Sequence, residues 1–196
     1  MIEHKPWKGP KRELGIDGQR VAIVGYSHYR NAKDADNEQF TICVVRNVLS
    51  GQQRGDSLFA AIPGYFGFKD RIEFWKRVWF FNFIPECIGT DEEKYATGSP
   101  DQIKRAGERF RRILQKERIQ KAFVFTTKGW RHCPYTDEEK KGKDCASLGH
   151  GFDDVTWGNY TLGARKVLAF GFRHPQFAPK EHMRAAVSEA LTRRLS

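Results

Sequence analysis

Four short apolar runs punctuate this chain, and each ends where a strand would stop. "RVAIVG" (20–25) is short, β-branched and closed by glycine, the pattern of a strand buried on both faces. The second half of "RIEFWKRVWFFNFIP" (71–85) is a similar run closed by proline, and "KAFVFTT" (121–127) and "RKVLAFGF" (165–172) repeat it. Between them the period changes. In "NEQFTICVVRNVLSG" (37–51), Phe40, Val44 and Val48 fall four apart and Gly51 stands as a stop, predicting an amphipathic helix. "SPDQIKRAGERFRRILQKERI" (99–119) carries the cleanest helix signals: Ser99 to cap it, Pro100 in the first turn and Asp101 against the dipole. Its buried stripe is Ile103, Ala106, Phe110 and Ile113 or Leu114, with seven Lys and Arg residues between 104 and 118 covering the rest. Residues 178–195 predict a closing helix. The glycine- and aromatic-rich "AIPGYFGFKD" (61–70) reads as a loop, and residues 1–19 as a loosely held basic arm ending in the turn "GIDGQ".

Strands alternating with helices imply βαβ units. The expectation is a single α/β domain over 20–196, three-layer α/β/α, around a central, mostly parallel, four-stranded sheet. In such sheets ligands bind beyond the carboxyl ends of the strands. Residues Gly25 to Arg30, Asn82 to Pro85, Lys128 to Trp130 and Arg173 to Gln176 should therefore gather along one edge. The polar segment 131–154 has no clear period and reads as a long surface excursion at that edge.

Composition narrows the class. A chain of 196 residues suits one domain with a real core. No run of 18 or more apolar residues occurs and the N-terminus is charged from its third residue, so neither a membrane span nor a secretory signal is expected. Cys43, Cys87, Cys133 and Cys145 are widely spaced, which suggests free thiols in the reducing cytoplasm. The net charge of +10 favours a polyanionic partner, because neutralising phosphates releases counterions, although a soluble basic protein can lack one. His132, Cys133, Cys145 and His150 offer two sulfurs and two imidazoles, a set that suits tetrahedral zinc. The usual close ligand pair is missing, as are the paired cysteines of an iron–sulfur cluster, so no cofactor is expected.

The groups brought to the edge are Tyr26, Ser27, His28, Tyr29, Asn82 and His174. An asparagine directly after "VWFF" is unusual in a buried strand. Its amide donates and accepts at once, which suits the edge of a nucleobase as well as it suits pairing with nearby backbone.

In "GYSHYR" (25–30), "VWFFNFIP" (78–85) and "FRHPQ" (172–176), taken in this order, the chain resembles the uracil-DNA glycosylase superfamily over residues 20 to 195. That resemblance implies hydrolysis of the N-glycosidic bond of a uracil or modified base, flipped out of DNA into a pocket. Gly25, Tyr26 and Tyr29 would wall the pocket, with Phe40 stacking on the base and Asn82 reading its edge. His174 would stabilise negative charge on the departing base. Arg30, Lys128, Arg173 and Gln176 would lie along the DNA, with Phe177 wedged into the stack. The protein would act as a monomer.

One departure stands out. The best-known branch carries a carboxylate two residues after the motif glycine, where it orients the attacking water, and this chain has Ser27. Either another group assists (His28, Asp34 or Asp36), or turnover is slow, or the sugar is captured by a nucleophile. Two alternatives follow: a nucleic-acid-binding module that has lost hydrolysis, and a hydrolase with Ser27 as nucleophile and His174 or His28 as base. Against the last, "GYSHY" lacks the G-x-S-x-G elbow.

Overall fold

The computed structural model describes residues 2–30, 36–52, 57–90, 96–134 and 155–194, apart from the side chains of Arg30 and Ser57. In chain order the elements are β1 (Trp7–Lys8), β2 (Val21–Gly25), β3 (His28–Arg30), α1 (Phe40–Leu49), α2 (Ser57–Tyr65), α3 (Arg71–Lys76) and β4 (Trp79–Asn82). They continue with β5 (Cys87–Thr90), α4 (Pro100–Lys116), β6 (Lys121–Val124), α5 (Thr127–His132), β7 (Thr156–Leu162), β8 (Arg165–Gly171), a 3-10 turn (Pro175–Phe177) and α6 (Lys180–Thr192).

The four expected strands are β2, β4, β6 and β8, and they lie side by side in parallel. The sheet nevertheless has six strands, in the order β1-β4-β2-β6-β8-β7, because each edge gains an antiparallel strand. A separate parallel pair joins β3 to β5. Two apolar cores lie on opposite faces of the large sheet, as in a three-layer arrangement. On one face Val21, Ile23, Phe80, Phe123 and Phe170 meet helices α1, α2, α3 and α6. On the other, Ala22, Val24, Phe81, Val124 and Val167 meet α4, α5 and Tyr160. The strands alternate between the two cores because successive side chains point to opposite faces.

Helix α4 follows its sequence signals. Ser99 Oγ accepts the Gln102 N–H (3.3 Å) and Gln102 Oε1 accepts the Ser99 N–H (2.7 Å), a complete capping box. Ala106, Phe110, Ile113 and Leu114 are buried as expected. Arg109, one of the residues expected to decorate the exposed face, is buried too. Its guanidinium reaches Glu3 (3.1 Å), the Asn82 carbonyl (3.1 Å) and the His4 carbonyl (2.5 Å).

Two further expectations are corrected. Residues 61–65 are not loop but the second half of α2, which continues through Pro63. A proline has no N–H for the carbonyl four residues back, so Phe59 O is orphaned. The Trp75 indole N–H takes it at 3.2 Å, which is how the helix tolerates the break. Residues 2–12 are not loosely held: the His4 N–H bonds to Pro85 O (2.6 Å), the Lys5 N–H to Glu38 O (2.7 Å), and β1 pairs with β4. Among the described residues no helix is long and apolar enough to cross a membrane.

Candidate functional site

Strand β2 sits between β4 and β6, so the chain leaves β2 toward one side of the sheet and β6 toward the other. Crevices at such reversals are where open α/β sheets bind ligands. Here the carboxyl ends open into a cleft of about 580 Å³. Gly25, Tyr26, Ser27, His28, Tyr29 and Asn82 line it, together with Lys128, Arg173, His174, Gln176 and Phe177. The topological expectation thus brings together residues separated by up to 152 positions (25 to 177). Arg30 ends β3, with its side chain outside the described residues.

Asn82 is paired in register with Gly25, and β2–β4 pairing runs on through Phe83 N–H to Gly25 O (2.9 Å) and Ile84 N–H to Tyr26 O (2.8 Å). The Asn82 side chain is only 5% exposed, faces the cleft and hydrogen-bonds to none of the described residues. The amide opens onto the cleft, where it can donate to and accept from a ligand. Its backbone carbonyl, in contrast, is held by Arg109.

His174 caps the 3-10 turn: its Nδ1 accepts the Gln176 N–H at 3.3 Å. In the neutral ring this puts the proton on Nε2, leaving that nitrogen a donor. Phe177 lies 6.0 Å away, ring to ring, and is 58% exposed at the rim. Across the cleft the Tyr26 hydroxyl accepts the Gly98 N–H (3.3 Å), and Lys128 Nζ lies 5.0 Å over the Tyr26 ring while donating to Ala96 O (3.0 Å). Burial raises the Tyr26 phenol above its ordinary value, against the lowering effect of the Gly98 bond, so it stays protonated.

His28 lines the cleft in its neutral form. Burial and the neighbouring His4 push its pKa down to about 3, against Asp36, and its Nε2 bonds to Thr41 Oγ1 (3.0 Å). An imidazole this weakly basic stays neutral across the physiological range. Ser27 and His174 line the same cleft, and among the described residues no histidine bonds to the Ser27 hydroxyl.

Phe40 is not in the cleft. Its ring stacks on His4 (5.3 Å, 14°) and meets His28 (5.2 Å) behind the wall. Beside Tyr26, Tyr29 and Phe177, two further aromatic residues line the cleft, Phe59 and Phe80, 5.0 Å apart and edge to face. Phe80 carries a signal that was available in the sequence: it lies two residues before Asn82, hence on the same face of β4. Phe59 was hidden by the misread helix.

Among the described residues no carboxylate lines the cleft. Of the zinc candidates, His132 ends α5 and Cys133 follows it, while Cys145 and His150 lie outside the described residues, as does Asp34. A different set, His4, Asp36 and Cys87, places one potential metal-binding atom from each residue within 4.8 Å of the others. Compared with known proteins, the chain matches no protein-family model and no curated protein.

Proposed function

We propose that this chain is a DNA glycosylase with a fold of the uracil-DNA glycosylase type, which hydrolyses the N-glycosidic bond of a flipped uracil or modified base. The observation that carries the proposal is the Asn82 amide: nearly buried, without partners among the described residues, and set beside Phe80 at the floor of a cleft wide enough for a nucleobase. An amide that can donate and accept side by side matches the edge of a pyrimidine, and the aromatic rings offer apolar contact to its face.

In this account Asn82 holds the base while its bond to C1′ lengthens and the sugar becomes oxocarbenium-like. The leaving base gathers negative charge on its ring nitrogen and the adjoining exocyclic carbonyl oxygen, and the His174 Nε2–H donates to that oxygen. A water attacks C1′, and its proton ends on the departed base. Ser27 supports that water as a neutral hydroxyl. Lys128 and Arg173 meet the phosphates on either side, and exposed Phe177 fills the gap left in the stack.

The absence of a lining carboxylate among the described residues favours a second possibility, a DNA-binding module with little or no hydrolysis. Labelled oligonucleotides carrying uracil, hypoxanthine, 5-hydroxymethylcytosine or its glucosylated form, single- and double-stranded, separate the two. Alkali-sensitive cleavage at one base, lost in His174→Ala, supports the glycosylase. Salt-dependent DNA retention without cleavage supports the binding module.

A further inference from the structure

We propose that His4, Asp36 and Cys87 form a zinc site that fastens the N-terminal segment to the β3–β5 strand pair behind the cleft. The three residues come from separate parts of the chain: the segment before β1, the stretch between β3 and α1, and the first residue of β5. Their potential ligand atoms lie within 4.8 Å of one another.

The donor chemistry selects the ion. Imidazole, carboxylate and thiolate together are a zinc set, whereas magnesium and calcium take oxygen ligands and copper(I) prefers sulfur. Charge agrees with this. A carboxylate and a thiolate balance a divalent ion, so the occupied, half-buried site is neutral.

The geometry around His4 is already that of a ligand. His4 is 1% exposed, and its Nε2 faces the carboxylate, 2.5 Å from Asp36 Oδ1. Asp36 also accepts the Cys87 N–H at 3.3 Å, so the carboxylate already lies between the other two residues. On binding, the ion displaces the proton shared by His4 and Asp36 and the thiol proton of Cys87, both of which leave to solvent. Water completes a four-coordinate shell.

The site bears on the cleft through packing. The His4 ring lies 5.6 Å from that of His28, a cleft residue, and stacks on Phe40. Zinc here would stiffen that wall whatever the cleft binds.

The test uses the full chain, stripped with chelator, reloaded with zinc sulfate and desalted. One zinc per chain by mass spectrometry is expected, with a melting temperature several degrees above the stripped protein. Cys87→Ser and His4→Gln should lose the metal, while Cys43→Ser and Cys145→Ser keep it. Cobalt(II) loading should give a sulfur-to-metal absorption band that Cys87→Ser removes, which separates lost ligation from lost folding once circular dichroism shows the variant folded. No retained zinc, or zinc that survives Cys87→Ser and disappears in Cys145→Ser, would overturn the proposal.

Discussion

The Asn82 side-chain oxygen occupies the space a β-carbon on Gly25 would need: a Cβ built there would lie 2.2 Å from Oδ1. Glycine at the end of β2 is what lets the amide of the neighbouring strand lie across the floor of the cleft. Gly25→Ala should push the amide aside without unfolding the sheet, since the tip of a side chain can move. Because misplacing a binding group by about 1 Å costs on the order of 100-fold, excision should fall by about 10- to 100-fold with the far-ultraviolet spectrum unchanged. Single-turnover excision kinetics measure it.

Arg109 fixes the same asparagine from the opposite side. Arg109→Met keeps the apolar stem but leaves the carbonyls of Asn82 and His4 without their donor. The variant should lose about 2–4 kcal/mol in urea denaturation, the cost of stranding buried acceptors.

These two contacts show what the sequence reveals and what it conceals. The four parallel strands are legible because each is a short apolar run closed by a stop residue, and the topological rule then predicts that the residues following them share an edge. Long-range pairing is not legible: Arg109 looks like one more helix-surface charge until the His4 carbonyl, 105 residues away, meets it. Pro63 and Gly64 look like a loop because nothing local announces the Trp75 indole that rescues the helix. Polar "TWGNYTL" (156–162) conceals β7, an edge strand paired along its whole length with β8.

Glu117 sets a pH dependence. Burial would raise its carboxyl, but the Lys8 ammonium (2.7 Å) and the Trp79 indole N–H (3.2 Å), with Lys116, hold it below its usual 4.5. A depressed carboxylate contributes stability above its unfolded value, and that contribution fades as pH falls through the folded value. Glu117→Gln should therefore cost about 1 kcal/mol at pH 7, with the difference from the natural chain flat above 4.5 and shrinking below it. Urea denaturation across pH 3–8 follows it.

Phe177, exposed at the rim, should matter only on duplex DNA. Phe177→Ala should change stability by less than about 0.5 kcal/mol, as surface substitutions usually do. Excision from double strands should drop by about tenfold relative to single strands, because only the duplex leaves a gap for a wedge to fill. Parallel rates on the two substrates give the ratio.

The central claim is that the unpaired Asn82 amide reads the base. Nitrogen-15 spectra during titration with free bases address it directly, with the side-chain NH₂ of Asn82 assigned through Asn82→Ala. The account predicts that one base shifts this resonance pair to saturation and that Gly25→Ala abolishes the shift. If no base moves it, or if bases shift other cleft residues while Asn82 stays still, the cleft is not a base pocket organised by Asn82.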